Sequence, residues 1–287
     1  MSAGRASKSP TEDSRLDGHY RPEHFWHLAR GGCITVLGFG SLVSEASTRE
    51  SFEFENFRLG TAVGVQRIFN RADWINIDWG DARVATGEVA SLAMAVTGDA
   101  SARCRVALMD VTAEEGLEGF LHRESTYRII EVPFRDDLGQ EGIALACGEC
   151  ADKDVVRLWG PDVWYLRHCT GRISYLAEDV PQEPMPLVPS FGGAPGDASA
   201  WLELTPGSDE EDYVYELPPG PWIYPAPGYL RMVYRAHAKA GILDNFLDTT
   251  LLMDRRTTLR SYLSGNPLLD AWVSDPEIYP DRACDRC

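Results

Sequence analysis

Between residues 33 and 150 the chain keeps strand-like chemistry with a single interruption, and that stretch decides what the whole can fold into. "CITVLGF" (33–39) reads as a central strand. "FENFRLGTAVGVQRIFN" (54–70) mixes β-branched and aromatic residues, with breaks predicted at Gly60 and Gly64. "RVATGEVASLAMAV" (83–96) reads as one long strand with Gly87 as a bulge or bend, and "CRVALMDV" (104–111) as another. Only "TAEEGLEGFLHRE" (112–124) changes period: Leu117, Phe120 and Leu121 share a helical face, and Thr112 with Glu115 makes a capping box. "YRIIEVPF" and "GIALACGE" return to strands. A doubly wound sheet needs regular strand–helix alternation, and one helix is too few. The pattern predicts an α+β unit, a strongly bent sheet or small barrel with a helix inserted.

The flanks read differently. Residues 1–31 are a polar tail without a secretory apolar segment. "DVWYLRHCTGR" (162–172) reads as a short helix stopped by Gly171. Eleven of the 18 prolines fall between Pro181 and Pro227, together with the acidic run Asp209, Glu210, Glu211 and Asp212. That composition marks residues 176–222 as a surface insert, and the acids lack calcium-loop spacing. Helix returns in "PGYLRMVYRAHAKAG" (227–241) and is predicted to continue through "ILDNFLDTTLLMDRRTTLRSYL". Residues 265–287 read as a tail anchored by Trp272 and Tyr279. The domain is therefore expected over residues 32–264.

Net charge is −17, from 27 basic and 44 acidic residues, which repels phosphate backbones and anionic lipid. Nucleic acid and membrane are excluded as expected partners, and a small-molecule ligand is left. Seven cysteines without a signal segment suggest reduced thiols and a cytoplasmic protein. Two CxxC pairs, Cys147 with Cys150 and Cys284 with Cys287, could together hold one zinc, but over a hundred residues separate them, and the expectation is no metal.

Three readings compete for the loop in "VLGFGSL" (36–42). A dinucleotide fingerprint needs a third glycine, and Val43 stands there. A nucleophile elbow needs Gly-x-Ser-x-Gly, and Ser41 directly follows Gly40. What remains is a loop of Gly38, Phe39, Gly40, Ser41 and Leu42 whose amides face a carboxylate or a developing oxyanion. Glu124 is a second candidate, at a helix-to-strand junction. It is either a site acid or a surface acid paired with Arg123 or Arg128.

Together these segments resemble the γ-glutamylcyclotransferase superfamily. Phe39-Gly40-Ser41-Leu42 resembles its glycine-serine motif, and Arg123-Glu124-Ser125-Thr126-Tyr127-Arg128 its catalytic glutamate before a tyrosine-containing strand. "GVQRIFN" is similar to its Gly-x-x-Arg-x-Phe strand, and "PAPGYLRMVYRAHAKAG" to the segment bearing a ligand-contacting tyrosine, here Tyr229. The resemblance covers residues 33–264. It implies a small mixed β-barrel with an inserted helix and C-terminal helices, no metal and no organic cofactor. It also implies conversion of a γ-glutamyl amide (from glutathione, a γ-glutamyl amino acid or a γ-glutamyl amine) to 5-oxoproline and a free amine. Glu124 is then the catalytic acid/base, in a partly buried apolar setting. Gly38, Phe39, Gly40, Ser41, Leu42, Tyr127 and Tyr229 form the substrate site. Arg67 is either a carboxylate partner or a structural strand residue. The alternative is an inactive member of the same fold that binds a metabolite or a protein.

Overall fold

In a computed structural model of the chain, which describes residues 20–159, 169–187, 215–216 and 221–275, the β-rich half closes on itself. Its strands are β1 (Cys33–Gly38), β2 (Glu55–Val63), β3 (Val65–Ala72), β4 (Glu88–Val96), β5 (Arg103–Thr112), β6 (Arg128–Asp136) and β7 (Glu141–Gly148). The order β1-β5-β2-β6-β7 becomes a five-stranded mixed barrel because β7 pairs back onto β1 in parallel, through Val36 and Leu145. Beyond β7 the sheet continues into β4, through Met94 and Gly148, and then into β3. Two short strands, β8 (Cys169–Thr170) and β9 (Tyr215–Glu216), pair with each other. Two later ones extend the sheet in parallel: β10 (Tyr224–Pro225) on β4 and β11 (Thr250–Leu252) on β3.

Local chemistry explains these boundaries. In β4 every residue except Val96 is buried, as expected of a strand covered on both faces. In β6 burial alternates from Glu131 to Asp136, and its ladder to β2 stops at Phe134, one residue short of Pro133, which has no N–H to extend it. Gly60 does not break β2. It sits inside the strand, where a Cβ would lie 2.5 Å from Leu108 Cδ1 and 3.0 Å from Arg135 O. The hairpin turns at Gly64 instead, with φ +75°. Gly87 also differs from expectation. It ends a turn over residues 84–86 in the left-handed region, because Glu88 folds back onto Arg83 and Thr86 and starts the strand there.

The helices are α1 (Glu45–Arg49), α2 (Trp74–Asp78), α3 (Glu115–Arg123), α4 (Asp152–Trp159), α5 (Pro227–Lys239), α6 (Leu243–Thr249), α7 (Leu259–Gly265) and α8 (Pro267–Ser274). Leu117, Phe120 and Leu121 of α3 are buried as the spacing requires, but the expected capping box does not form: the N-cap is Glu114, and Thr112 Oγ1, from the end of β5, accepts from the Gly116 N–H. Continuous helix after α5 is not what forms. The β-branched Thr249-Thr250 pair ends α6, and the chain then pairs with the open edge of β3. Cys169 and Thr170 are strand rather than helix; the rest of the helix expected before Gly171, the acidic run and Tyr279 lie outside the described residues.

The two ends contribute more than tails. Residues 22–28 form a 3-10 helix that buries Phe25, while Trp26 Nε1 donates to Ala113 O and Tyr20 stacks edge-on against Trp159. Leu269, Trp272 and Val273 of α8 are buried, with the Arg231 guanidinium 5.0 Å from the Trp272 ring. Among the described residues no helix is long and apolar enough to cross a membrane.

Arg67 is structural. It is fully buried, and its guanidinium donates to Arg105 O at 3.0 Å, Asn245 Oδ1 at 3.0 Å and Thr249 Oγ1 at 2.8 Å, tying β3 to β5 and α6. Its Nη1 also meets His237 Nε2 at 3.2 Å, while His237 Nδ1 donates to Val233 O at 2.7 Å. That pattern requires a neutral imidazole. Burial, reinforced by the Arg67 charge, pushes the His237 pKa down to about 3. The unfolded chain binds this proton near 6.5, so the contribution is complete above that pH and is lost as pH falls toward 3. A urea-unfolding series should therefore show stability dropping between pH 6 and pH 4 by up to about 1.4 kcal/mol per pH unit from this residue. His237→Gln should flatten that slope; an unchanged slope would rule out a buried neutral histidine.

Candidate functional site

β1 ends at Gly38, and the chain doubles back so tightly that a Cβ there would lie 2.7 Å from Leu42 O and 2.8 Å from Leu42 C. Backbone cannot yield to a side chain as another side chain can, so only glycine fits. Phe39 and Leu42 are buried in the apolar core and hold the loop from behind. Gly40 is needed for a different contact. A Cβ there would sit 2.6 Å from the Tyr229 hydroxyl. Residues 41–43 then form one 3-10 turn, closed by Val43 N–H to Gly40 O. The N–H groups of Ser41 and Leu42, at the start of that turn, have no partner within it.

Glu124 closes α3 and starts the turn into β6, with its N–H bonded to Phe120 O and its carbonyl accepting from Tyr127 N–H, both at 3.0 Å. The carboxylate is 13% exposed. Its setting is partly buried, as expected, but polar rather than apolar. Arg123 Nε donates to Oε1 at 2.9 Å and the Cys147 thiol to Oε2 at 3.3 Å. The pairing with Arg123 does not leave the acid on the surface, because the same guanidinium reaches inward to Ser41 Oγ at 3.1 Å and to Ser51 Oγ. One arginine thus joins the glycine loop to the glutamate.

Tyr127 and Tyr229 complete the cluster. The Tyr127 hydroxyl lies 3.3 Å from Ser91 Oγ, and the Arg71 guanidinium sits 4.5 Å over its ring. Burial pushes both phenols up, and the charges of Asp73 and Glu124 push in the same direction, so both stay neutral hydrogen-bonding groups. Burial and the Glu124 charge likewise push the Cys147 thiol up, keeping its proton on sulfur. Cys150, the other half of its CxxC, is buried too and pushed up to about 11, mainly by burial. Cys284 and Cys287 lie outside the described residues.

The structure therefore brings together Gly40, Ser41, Glu124, Tyr127 and Tyr229. Gly38, Phe39 and Leu42 shape the loop, while Arg67 stands apart in its own network. Sequence reasoning missed Arg71, Asp73 and Ser91, weighed Cys147 only as half of a possible zinc pair, and gave Arg123 no role beyond its place beside Glu124. A β-bulge explains two of these. β3 pairs Phe69 with Leu92 and then Arg71 with Ser91, so Asn70 is an extra residue that shifts the register. No periodicity in "RIFNRAD" reveals that shift. For Arg123, adjacency to Glu124 was the available signal.

No protein-family model matches the chain, and no curated protein matches its sequence. Among solved structures it is similar to a γ-glutamyl cyclotransferase, at 11% identity and a TM-score of 0.29, over 39% of this chain and 64% of that one. It is similar to YkqA from Bacillus subtilis at 15% identity and a TM-score of 0.30, over 44% of each chain. A third similarity, at 13% identity and a TM-score of 0.28, is to an uncharacterised human protein, over 40% of this chain and 64% of that one. The matched part spans less than two thirds of each of these proteins.

The contact between Gly40 and Tyr229 can be tested alone. Gly40→Ala should destabilise by about 1–3 kcal/mol through overpacking. Tyr229→Phe should recover much of that loss in the double variant, because the next ring atom is an ordinary 3.8 Å away. Additive effects in a urea-unfolding cycle would show that the two do not touch.

Proposed function

We propose that the chain is a γ-glutamylcyclotransferase-like enzyme that closes a γ-glutamyl amide into 5-oxoproline and releases a free amine. One observation carries this reading. Arg123 links the partly buried Glu124 carboxylate to the Gly40–Ser41 loop, and two neutral tyrosines flank it.

The chemistry follows from the groups present. The substrate α-amine, with a pKa of about 8, is mostly an ammonium near neutral pH and cannot attack. Glu124 takes a proton from it. The freed nitrogen adds to the γ-carbonyl carbon of a curled glutamyl chain, and the oxygen becomes an oxyanion facing the amides of residues 40–42. Collapse expels the amine, to which Glu124 returns its proton, and the ring nitrogen gives its surplus proton to the freed Glu124 carboxylate, which passes it to the released amine and is restored. Because the attack is intramolecular, holding the chain curled replaces a bimolecular encounter. Tyr127 and Tyr229 supply hydroxyls that do not ionise. Arg123 is the cation available to the substrate α-carboxylate, the role the sequence left open for Arg67. Ser41 orders the loop and the arginine and needs no nucleophilic part.

A second reading, binding without turnover, draws on the fact that both Glu124 oxygens already have partners, Arg123 and Cys147. One experiment separates the two. The protein is incubated with glutathione, a γ-glutamyl amino acid and a γ-glutamyl alkylamine, and 5-oxoproline is measured. Release from at least one is expected, and Glu124→Gln should lower it by a factor on the order of 100 or more at an unchanged melting temperature. No 5-oxoproline from any, with a ligand-induced rise in melting temperature, would favour binding alone. Full activity in Glu124→Gln would remove the assignment.

A further inference from the structure

The two oxygens of the Glu124 carboxylate have donors of different kinds. Oε1 accepts from the Arg123 guanidinium, a cation on a long side chain whose other nitrogens reach Ser41 Oγ and Ser51 Oγ. Oε2 accepts from the Cys147 thiol at 3.3 Å. Cys147 has a short side chain, is buried, and lies in β7 with its backbone paired to Ile129 of β6, so its sulfur has little room to move. That ladder begins at Arg128, just after the turn that Glu124 starts. The thiol is also a neutral donor. Burial and the Glu124 charge keep the proton on sulfur. A neutral donor bonds a carboxylate more weakly than a cation does, so it can hold the group without cancelling the charge that makes it a base.

We infer that Cys147 is a positioning residue of the proposed reaction: its thiol holds Glu124 Oε2 and fixes the plane of the carboxyl, so that Oε1 alone carries the proton. This inference rests on the cyclotransferase reading. A carboxyl that gains a proton on one oxygen keeps a carbonyl on the other, and that carbonyl still accepts a hydrogen bond. The Cys147 contact therefore persists in both protonation states when the proton travels on Oε1. A proton on Oε2 would instead set two donors face to face. When Arg123 turns to the substrate α-carboxylate, Oε1 is the oxygen it releases. Oε1 takes the ammonium proton and gives it to the departing nitrogen. It then takes the surplus proton of the ring nitrogen and passes it to the released amine. The thiol keeps its own proton throughout, and no bond to sulfur forms or breaks.

The test compares Cys147→Ala with Cys147→Ser. Both side chains are smaller than cysteine and differ from each other by a hydroxyl, so the comparison reports the hydrogen bond rather than the space left by sulfur. On whichever of the three γ-glutamyl substrates turns over fastest, Cys147→Ala should lower kcat by a factor on the order of 10–100, with KM changed by less than about threefold, because a misdirected base slows the chemical step and leaves binding alone. Cys147→Ser should recover most of that loss. A second measurement needs no turnover. The S–H stretching band that disappears in Cys147→Ser belongs to Cys147. It should move to higher frequency in Glu124→Gln, where the carboxamide oxygen faces Arg123 and its NH2 group faces the thiol. Wild-type kcat in Cys147→Ala, a serine variant no faster than the alanine one, or a band unmoved by Glu124→Gln would each overturn the role of Cys147. The cyclotransferase reading would still stand while Glu124→Gln is inactive. If the wild-type protein releases no 5-oxoproline from any of the three substrates, the cyclotransferase reading fails first, and this inference with it.

Discussion

The parallel pairing of β1 with β7 is the contact on which the rest of the site depends. Val36 stands opposite Leu145, and parallel strands run in the same direction, so two residues further on Gly38 and Cys147 reach the same rim of the barrel. Cys147 in turn pairs with Ile129 at the start of β6, just after the turn that holds Glu124. The glycine loop and the glutamate lie more than eighty residues apart in sequence, and this closure makes them neighbours. Without it the sheet would leave β1 as an open edge and Ser41 far from Arg123.

Much of this was legible in advance for a simple reason. Leu117, Phe120 and Leu121 repeat at helical spacing, and β-branched residues surround them on both sides, so one helix inserted in a bent sheet was readable. Glu124 stood out because it ends that helix. Gly40 and Tyr229 were found as separate motifs, and only the fold shows that one is glycine because of the other's hydroxyl. The unreadable part has a common cause in long-range geometry. An extra residue in β3 decides which way Arg71 and Asp73 face, and the partner strand sets that register. The break of the C-terminal helical run at Thr250 likewise reflects demand from the unfilled edge of β3, which local propensity does not report.

Arg67 shows the same limit from the other side. An arginine in a strand beside a glycine-serine loop invites a ligand role by its chemistry alone. Its surroundings assign it otherwise, since two backbone carbonyls, an amide oxygen, a hydroxyl and an imidazole already engage both of its Nη groups in the buried interior. The cations near the cluster, Arg71 and Arg123, each lie close to a carboxyl. A chain with a net charge of −17 thus concentrates positive charge where its acids would otherwise repel an anion.

The adjacency of Arg123 and Glu124 in the chain has a consequence for how such a site fills. Cation and anion share one helix end, so their pairing costs little conformational freedom, and neither is left as an uncompensated buried charge. A zwitterionic guest entering such a place strips no bare ions of their water. Under the proposed reading it would exchange partners, offering its carboxylate to the guanidinium and its ammonium to the glutamate. Entry then resembles ion exchange more than the solvation of a vacant charge, and a guest bearing only one of the two charges would leave half of the exchange undone.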